Sequence, residues 1–443
     1  MSRYETYKSS EVVWIGDIPQ QWKIKRLKDL VNPKITDGPH ETPELVDDED
    51  GIPFISAEAI TENGINYEAR GGNISVEQDR IYSLKCKPKR DDIFIVKSGS
   101  TTGRIGYVDT DLNFNIWSPL ALVRSNNKTS SRFLYHFLSS DCIQRQIQNS
   151  WSFGTQPNIG MGVIERLRLA IPEYDEQLTI ANYLDNQTQK IDRLIANKKA
   201  QAEKLKELRQ IEINNAVTKG LYPNAEMKDS GIDWLGKIPK HWEVKRVKNI
   251  GSIFNGSTPS SSVESYWDGD IIWVTPGDFK NYRYSIDNSE NKITDDGYKN
   301  CGTSLVPIGS IILTTRAPIG NVLLAAKELC TNQGCKSIVP AKINSEFLYY
   351  YFSISSIQLN VFGQGTTFLE LSTGNLSTFK VPVPPAKEQI EIAHYLQKRT
   401  TAIDQLIKNI EEQIEKLQEL RKIKIYEAVT GKIKVNAYAE TTA

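Results

Sequence analysis

The phrase WIGDIPQQW at residues 14–22 returns as WLGKIPKHW at 234–242, with both tryptophans, the glycine and the Ile-Pro pair in place. The same spacing carries Lys8, Ser10, Lys25, Arg26 and Lys28 onto Lys228, Ser230, Lys245, Arg246 and Lys248. A second block, from IPEYDEQ at Ile171 to AVTKG, is echoed without a gap from VPPAKEQ at Val383 to AVTGK. Between the blocks the echo is faint: Phe133-Leu134-Tyr135 answers Phe347-Leu348-Tyr349, and Gly162 answers Gly374. Solenoid units run to about 20–50 residues, so this much longer repeat is a duplication of whole domains. Such a chain is expected to do one job at two places.

The second block constrains the architecture most. Leu184, Ile191, Lys198 and Leu205 lie seven apart, with Gln187, Leu194, Gln201 and Leu208 three residues after each. The second copy gives Leu396, Ile403, Ile410 and Leu417, followed by Arg399, Leu406, Gln413 and Leu420. These are a/d heptad ladders. With neither glycine nor proline from Lys387 to Thr430, each predicts a helix of about 40 residues, roughly 60 Å long. A helix with one apolar seam, flanked by charges such as Glu203, Lys204, Lys206 and Glu207, cannot bury that seam alone. Its most available partner is the other copy. The short link at residues 220–233 opens the second domain at the far end of the first helix, so the second helix must run back antiparallel. The open alternative is that each helix folds onto its own domain.

The remaining stretches read as mixed α/β, with β-rich runs such as DIFIVKSG, GYVD, DIIWVTP and SIILTTR broken by Gly, Pro, Asn and Asp. The expected fold class is α+β: two globular mixed α/β domains separated by an antiparallel coiled coil, related by an approximate two-fold. The expected boundaries are 1–170 for the first domain with its entry segment, 171–219 for the first helix, 220–382 for the second domain, and 383–443 for the second helix and tail.

No apolar run reaches the ~20 residues of a membrane span, and MSRYETYKSSEVV lacks the apolar stretch of a signal peptide. A cytoplasmic location with no membrane partner is expected. Cys86, Cys142, Cys301, Cys330 and Cys335 form no C-x-x-C pair, which predicts reduced, mostly buried thiols. Lys+Arg and Asp+Glu are equal at 54 each, so nucleic-acid binding would need segregated charge or partners that share the grip.

Two polar loops at the ends of β-rich runs are the candidate binding elements. SGSTTGRIG lacks the G-x-x-x-x-G-K-[ST] spacing of a phosphate loop. Lys97, Ser98, Ser100, Thr101 and Arg104 could instead offer donors to DNA phosphates or base edges, as could Thr315, Arg316 and Asn321 in TTRAPIGNV. Gln156, in GTQPNIG, is a further candidate. Each could equally be a plain turn joining strands. The tryptophans of the repeated phrase are expected to pack the entry segment against the helices in preference to stacking bases. His40, His136, His241 and His394 show no metal-ligand spacing, and the acidic tract ELVDDEDG lacks a neighbouring E-x-K. Pro384-Pro385 follows VPV without the Asn or Asp of an adenine methyltransferase. No catalytic or metal-binding residue is expected.

The whole pattern resembles the specificity (S) subunit of type I DNA restriction-modification enzymes. The resemblance is carried by W-x-G-x-I-P-x-x-W at Trp14 and Trp234, GTQPNIG, IPEYDEQ and VPPAKEQ, and AVTKG and AVTGK. It implies two target-recognition domains, each reading half of a split double-stranded DNA sequence and held apart by the helical pair. It also implies two modification (methyltransferase) subunits and ATP-driven restriction subunits as partners, with S-adenosylmethionine, ATP and Mg belonging to those partners and no cofactor in this chain. The second domain departs from the pattern, with GTTFLEL where the first has GTQPNIG. Two other readings stay open: a protein–protein scaffold whose coiled coil spaces two binding domains, and a single-chain enzyme whose site is not visible.

Overall fold

The computed structural model describes residues 2–47, 51–62, 64–69, 71–150, 152–153, 157–363 and 370–436. The chain divides into two compact units, Met1–Lys198 with Glu412–Ala443, and Lys199–Glu411.

In the first unit the entry phrase closes a hairpin, Tyr7–Ser9 antiparallel to Asp17–Pro19. The turn needs Gly16, which sits at φ +68°, a left-handed conformation that glycine tolerates. Trp22 is fully buried, and its indole N–H donates to Glu176 Oε2 at 3.2 Å. The other oxygen of Glu176 accepts from the Tyr4 hydroxyl at 2.6 Å. Lys23–Arg26 then pairs antiparallel with Arg168–Ile171, the strand that leads into the long helix Tyr174–Lys219. Between them lies a four-stranded antiparallel sheet in the order Ile105–Tyr107, Ile93–Val96, Leu120–Val123, Thr36–Asp37. A three-stranded sheet has Ile52–Ile55 at its centre, parallel to Asn115–Ile116 and antiparallel to Gly72–Ile74. Ile93–Val96 and Leu120–Val123 are buried at every position. Their side chains alternate between two cores, Ile93 and Ile95 facing one and Phe94 and Val96 the other.

The second unit repeats this plan. Met227–Asp229 pairs with Lys237–Pro239, and Glu243–Arg246 with Lys380–Val383. Its larger sheet runs Gly251–Asn255, Cys335–Pro340, Ile311–Thr314, Val322–Ala325, Ser285–Ile286; Trp267–Val274 is central to the smaller one. The register matches: Ile93 opposite Val123 corresponds to Ile311 opposite Ile338.

Each unit also holds the end of the long helix that belongs to the other repeat. Ile425, Ala428 and Val429, near the end of the helix Ala386–Val429, join the first core beside Ile15 and Trp22. Ile213, Ala216 and Val217 join the second core beside Ile238 and Trp242. This explains why AVTGK and AVTKG keep their glycines. Gly431 and Gly220 end the helices at φ +71° and +74°, and a Cβ on Gly431 would lie 2.4 Å from Pro19 Cδ.

Within each unit the two helix segments run antiparallel. In the second, Arg209 pairs with Asp404 at 3.0 Å and Glu212 with Arg399 at 2.8 Å, so one number falls as the other rises. In the first, Asp192 pairs with Arg421 at 2.9 Å. There Tyr183, whose phenol is pushed up by burial, feels the carboxylate of Glu427.

The seam differs from the predicted ladder. Leu184, Ile191, Leu396 and Ile403 are buried, and Leu205, Ile410 and Leu417 half-buried. The predicted d rung faces outward: Leu194, Leu208, Leu406 and Leu420 are 49, 40, 51 and 40% exposed. Buried companions lie four residues after five of the eight a positions: Thr188, Ile195, Ala202, Thr400 and Ile407. Positions three and four later flank the same a position, one on each side. The smaller residues Thr188, Ala202 and Thr400 take buried positions, and the longer leucines are left on the outer flank. No helix among the described residues is long and apolar enough to cross a membrane.

Candidate nucleic-acid interface

The two candidate loops occupy the same place in the two units and are closed by the same backbone bonds. In the first, Val96 N–H donates to Arg104 O at 2.9 Å and Gly103 N–H to Val96 O at 2.8 Å. In the second, Thr314 N–H donates to Asn321 O and Gly320 N–H to Thr314 O, both at 3.0 Å. Gly103 and Gly320 turn the chain at φ +88° and +93°. The loop roots are also fixed alike. Lys97 N–H donates to Pro119 O at 2.7 Å and Lys97 O accepts from Ile159 N–H at 2.9 Å; Thr315 N–H donates to Gly334 O at 2.8 Å and Thr315 O accepts from Leu371 N–H at 2.9 Å.

Side chains at these loops are presented unequally. Lys97 is buried and forms an ion pair with Asp37. Ser98 and Thr101 are half-buried and Ser100 is exposed. Arg104 is exposed, with Nη1 donating to Ile60 O at 3.2 Å. In the second unit Thr315 is buried, its hydroxyl donating to Gly334 O at 3.2 Å. Arg316 is exposed and pairs with Glu370 at 3.2 Å, and Asn321 is exposed. Gln156 lies outside the described residues.

The structure brings further residues to this place that the sequence reading missed. Asp37 binds Lys85 Nζ at 2.6 Å as well as Lys97, and His40 Nε2 stands 3.1 Å from it. Burial would raise its carboxyl, but the hydrogen bonds from Lys85 and Lys97 outweigh this and hold it below the usual carboxylate range. Its counterpart by register is Asn255, whose Oδ1 accepts from the buried Lys336 Nζ at 3.0 Å and from Thr373 Oγ1 at 2.7 Å. Burial pushes Lys336 down from the ordinary lysine value, with Glu370 pulling the other way. Each acceptor precedes a glycine that nothing larger can replace. A Cβ on Gly38 would fall 2.1 Å from Ile116 O, and one on Gly256 would fall 1.9 Å from Asn332 O. The paired Asp-Gly and Asn-Gly dipeptides were the available signal.

The repeated tryptophans are structural: Trp22 and Trp242 are fully buried, and Trp14 and Trp234 half-buried. Four of the five cysteines are buried free thiols, and burial pushes Cys86 up to about 12. Among the described residues no group of three His, Cys, Asp or Glu could hold a metal ion.

This duplicated fold, with matched polar loops at the ends of equivalent strands, defines a class. The chain belongs to the type I restriction modification DNA specificity domain family, whose model matches residues 19–204 and 239–416. It is 42% identical over 199 residues to the type I restriction enzyme MjaIX specificity subunit of Methanocaldococcus jannaschii, a match spanning 44% of each protein. It is 27% identical to the putative MjaX specificity subunit of the same organism over 97% of both chains. Two solved structures share the fold. One, from work on the complex assembly and conformational transition of the type I R-M system, has a TM-score of 0.71 at 17% identity, covering 94% of this chain and 99% of that one. The HsdS subunit from Thermoanaerobacter tengcongensis has a TM-score of 0.51 at 18% identity, covering 94% and 98%.

Proposed function

We propose that this specificity subunit reads a bipartite double-stranded DNA target, one half-site with each unit, and performs no chemistry itself. The observation that supports this best is the duplicated loop: the same hairpin closure and root bonds recur in both units, while the side chains they carry differ. A constant frame with variable contents suits two readers of unlike sequences. In this reading two modification subunits and the restriction subunits join the chain in the cytoplasm and bring S-adenosylmethionine, ATP and Mg. The outward leucines Leu194, Leu208, Leu406 and Leu420, repeated at the spacing of the helical block, are the face offered to the modification subunits. The helical pair sets the gap between the half-sites.

Adenine-methylation sequencing of a host carrying the chain with its modification subunits tests the reading. A split motif with two constant halves and a fixed gap is expected. Absence of any motif, together with no shift of random duplex pools in the presence of the modification subunit, would favour the scaffold reading. Inserting one heptad after Lys198 and one after Ile410 adds about 10 Å of helix, close to three base pairs of rise. Both halves should persist while the preferred gap lengthens; an unchanged gap at unchanged affinity would exclude the helices as its determinant.

A further inference from the structure

The two units solve one local problem with the same charge delivered from different strands. In the first, the cross-strand row is Ile95, Ala121 and Asp37, and Lys97, two residues beyond Ile95, falls on the same face of the sheet. In the second, the matching row is Leu313, Lys336 and Asn255, and Thr315, two residues beyond Leu313, stands where Lys97 stands in the first. Lys97 reaches its acceptor across the small Ala121. Where the middle position is itself a lysine, the loop residue shrinks to Thr315. Lys97 and Lys336 are 8% and 7% exposed.

We infer that the buried ammonium of Lys97, and that of Lys336, positions the reading loop of its unit by tying the loop root or its neighbouring strand to the Asp37-Gly38 or Asn255-Gly256 turn. This rests on the reading of the two units as separate DNA readers and assigns specificity-determining residues within each.

A buried ammonium is costly unless its donors are well satisfied, so its acceptor is held in a narrow geometry. Each acceptor side chain belongs to the residue before a glycine whose backbone is pressed against a carbonyl, so fixing the side chain fixes the turn. The exposed residues of the first loop, Ser100 and Arg104, lie within seven residues of Lys97. A displacement of about 1 Å at their root is enough to change how they meet a partner. The lysines therefore act through the loops they hold and are positioning residues.

The test uses the chain assembled with its modification subunits and reads adenine methylation across the host genome. Lys97→Met is expected to alter or relax one half of the motif, with methylation of the parental sites falling by up to about a hundredfold. Lys336→Met is expected to do the same to the other half only. The triple variant Lys97→Thr, Asp37→Asn, Ala121→Lys installs the second unit's arrangement in the first and should restore the parental half-site. Asp37→Leu breaks the same tie from its other end and serves if Lys97→Met yields too little folded protein. The inference is overturned if both lysine variants keep the parental motif and occupancy, or if either changes both halves. It is also overturned if the folded triple variant keeps the Lys97→Met defect, since the lysine would then be acting on DNA from position 97 itself. Loss of any split motif in the parental protein would instead refute the two-reader function.

Discussion

At two places the first unit has ion pairs where the second uses neutral groups on the same backbone, and at a third the partners of a shared glutamate differ. Asp92, fully buried, takes two bonds from Arg124 at 2.7 Å each. The register puts Ser310 and Val339 at those positions, and Ser310 Oγ donates to Pro307 O at 2.7 Å. The Asp185 carboxylate oxygen Oδ1 accepts a hydrogen bond from His136 Nε2 at 2.7 Å. By the repeated FLY triplet and the gapless helical block, their counterparts are Tyr350 and Gln397, and the Tyr350 hydroxyl stands 3.4 Å from Thr400 Oγ1. Glu176 binds Trp22 and Tyr4, whereas Glu388 binds His241 at 2.8 Å and the Trp242 indole N–H has no partner among the described residues. The difference teaches that the fold is specified by apolar burial and backbone pairing. Polar contacts are exchangeable provided each buried charged group keeps a partner, because a half-replaced buried pair leaves an uncompensated group.

The largest expected effect sharpens this comparison at the tryptophans. Trp22→Ala and Trp242→Ala should each cost about 3–5 kcal/mol, measured by denaturant unfolding. Hydrogen exchange should place the loss in the unit that carries the substitution. Trp22→Ala should be the costlier, since it also removes a bond to Glu176.

Next in size, Arg124→Ala should destabilise the first unit by about 3 kcal/mol, because Asp92 stays buried without its cation. The double variant Asp92→Ser, Arg124→Val copies the second unit and should recover most of that loss. Equal loss in both variants, read from thermal melting, would break the claim that the pairs are exchangeable.

A smaller effect concerns pH. Burial keeps the His136 imidazole below its ordinary value, with Asp185 opposing and Arg132 and Arg421 adding to the shift. The unfolded chain therefore takes up the proton first, and stability that is complete above pH ~6.5 falls as the pH drops below it. Asp185 is lowered by His136 and Arg132 in spite of its burial, so its contribution is lost only at more acid pH. The melting temperature should be lower at pH 5.5 than at pH 7.5 through His136. His136→Tyr with Asp185→Gln should flatten that difference.

The smallest effect tests the helical seam. Leu194→Gln and Leu406→Gln should change the stability of the isolated chain by no more than ~0.5 kcal/mol, whereas a seam built on the a/d ladder would lose far more on thermal melting.

Much of the architecture was legible because repetition and periodicity are statements about the chain. The long helices, their antiparallel direction, the mixed α/β domains and the packing of Trp22 and Trp242 all follow from patterns written along the sequence. The seam was half legible: both rungs lie on one face of a heptad, and only the partner's position selects between them. At the candidate site, the loops around Lys97 and Thr315 were visible as polar breaks after apolar runs. Their unequal presentation was not, since whether Lys97 meets solvent depends on Asp37, sixty residues earlier in the chain.

That this is one design made twice is written along the chain, since the two halves share framing phrases, heptads and strand-forming runs, and local propensity and apolar periodicity act over a few residues at a time. That each unit is completed by the helix end of the other repeat, and that the same buried ammonium is supplied by Lys97 in one unit and by Lys336 in the other, emerges from packing in three dimensions. The physical reason is that a buried charge is satisfied by whatever lies within hydrogen-bond reach in space, and a sheet brings three strands from distant parts of the chain to that one point.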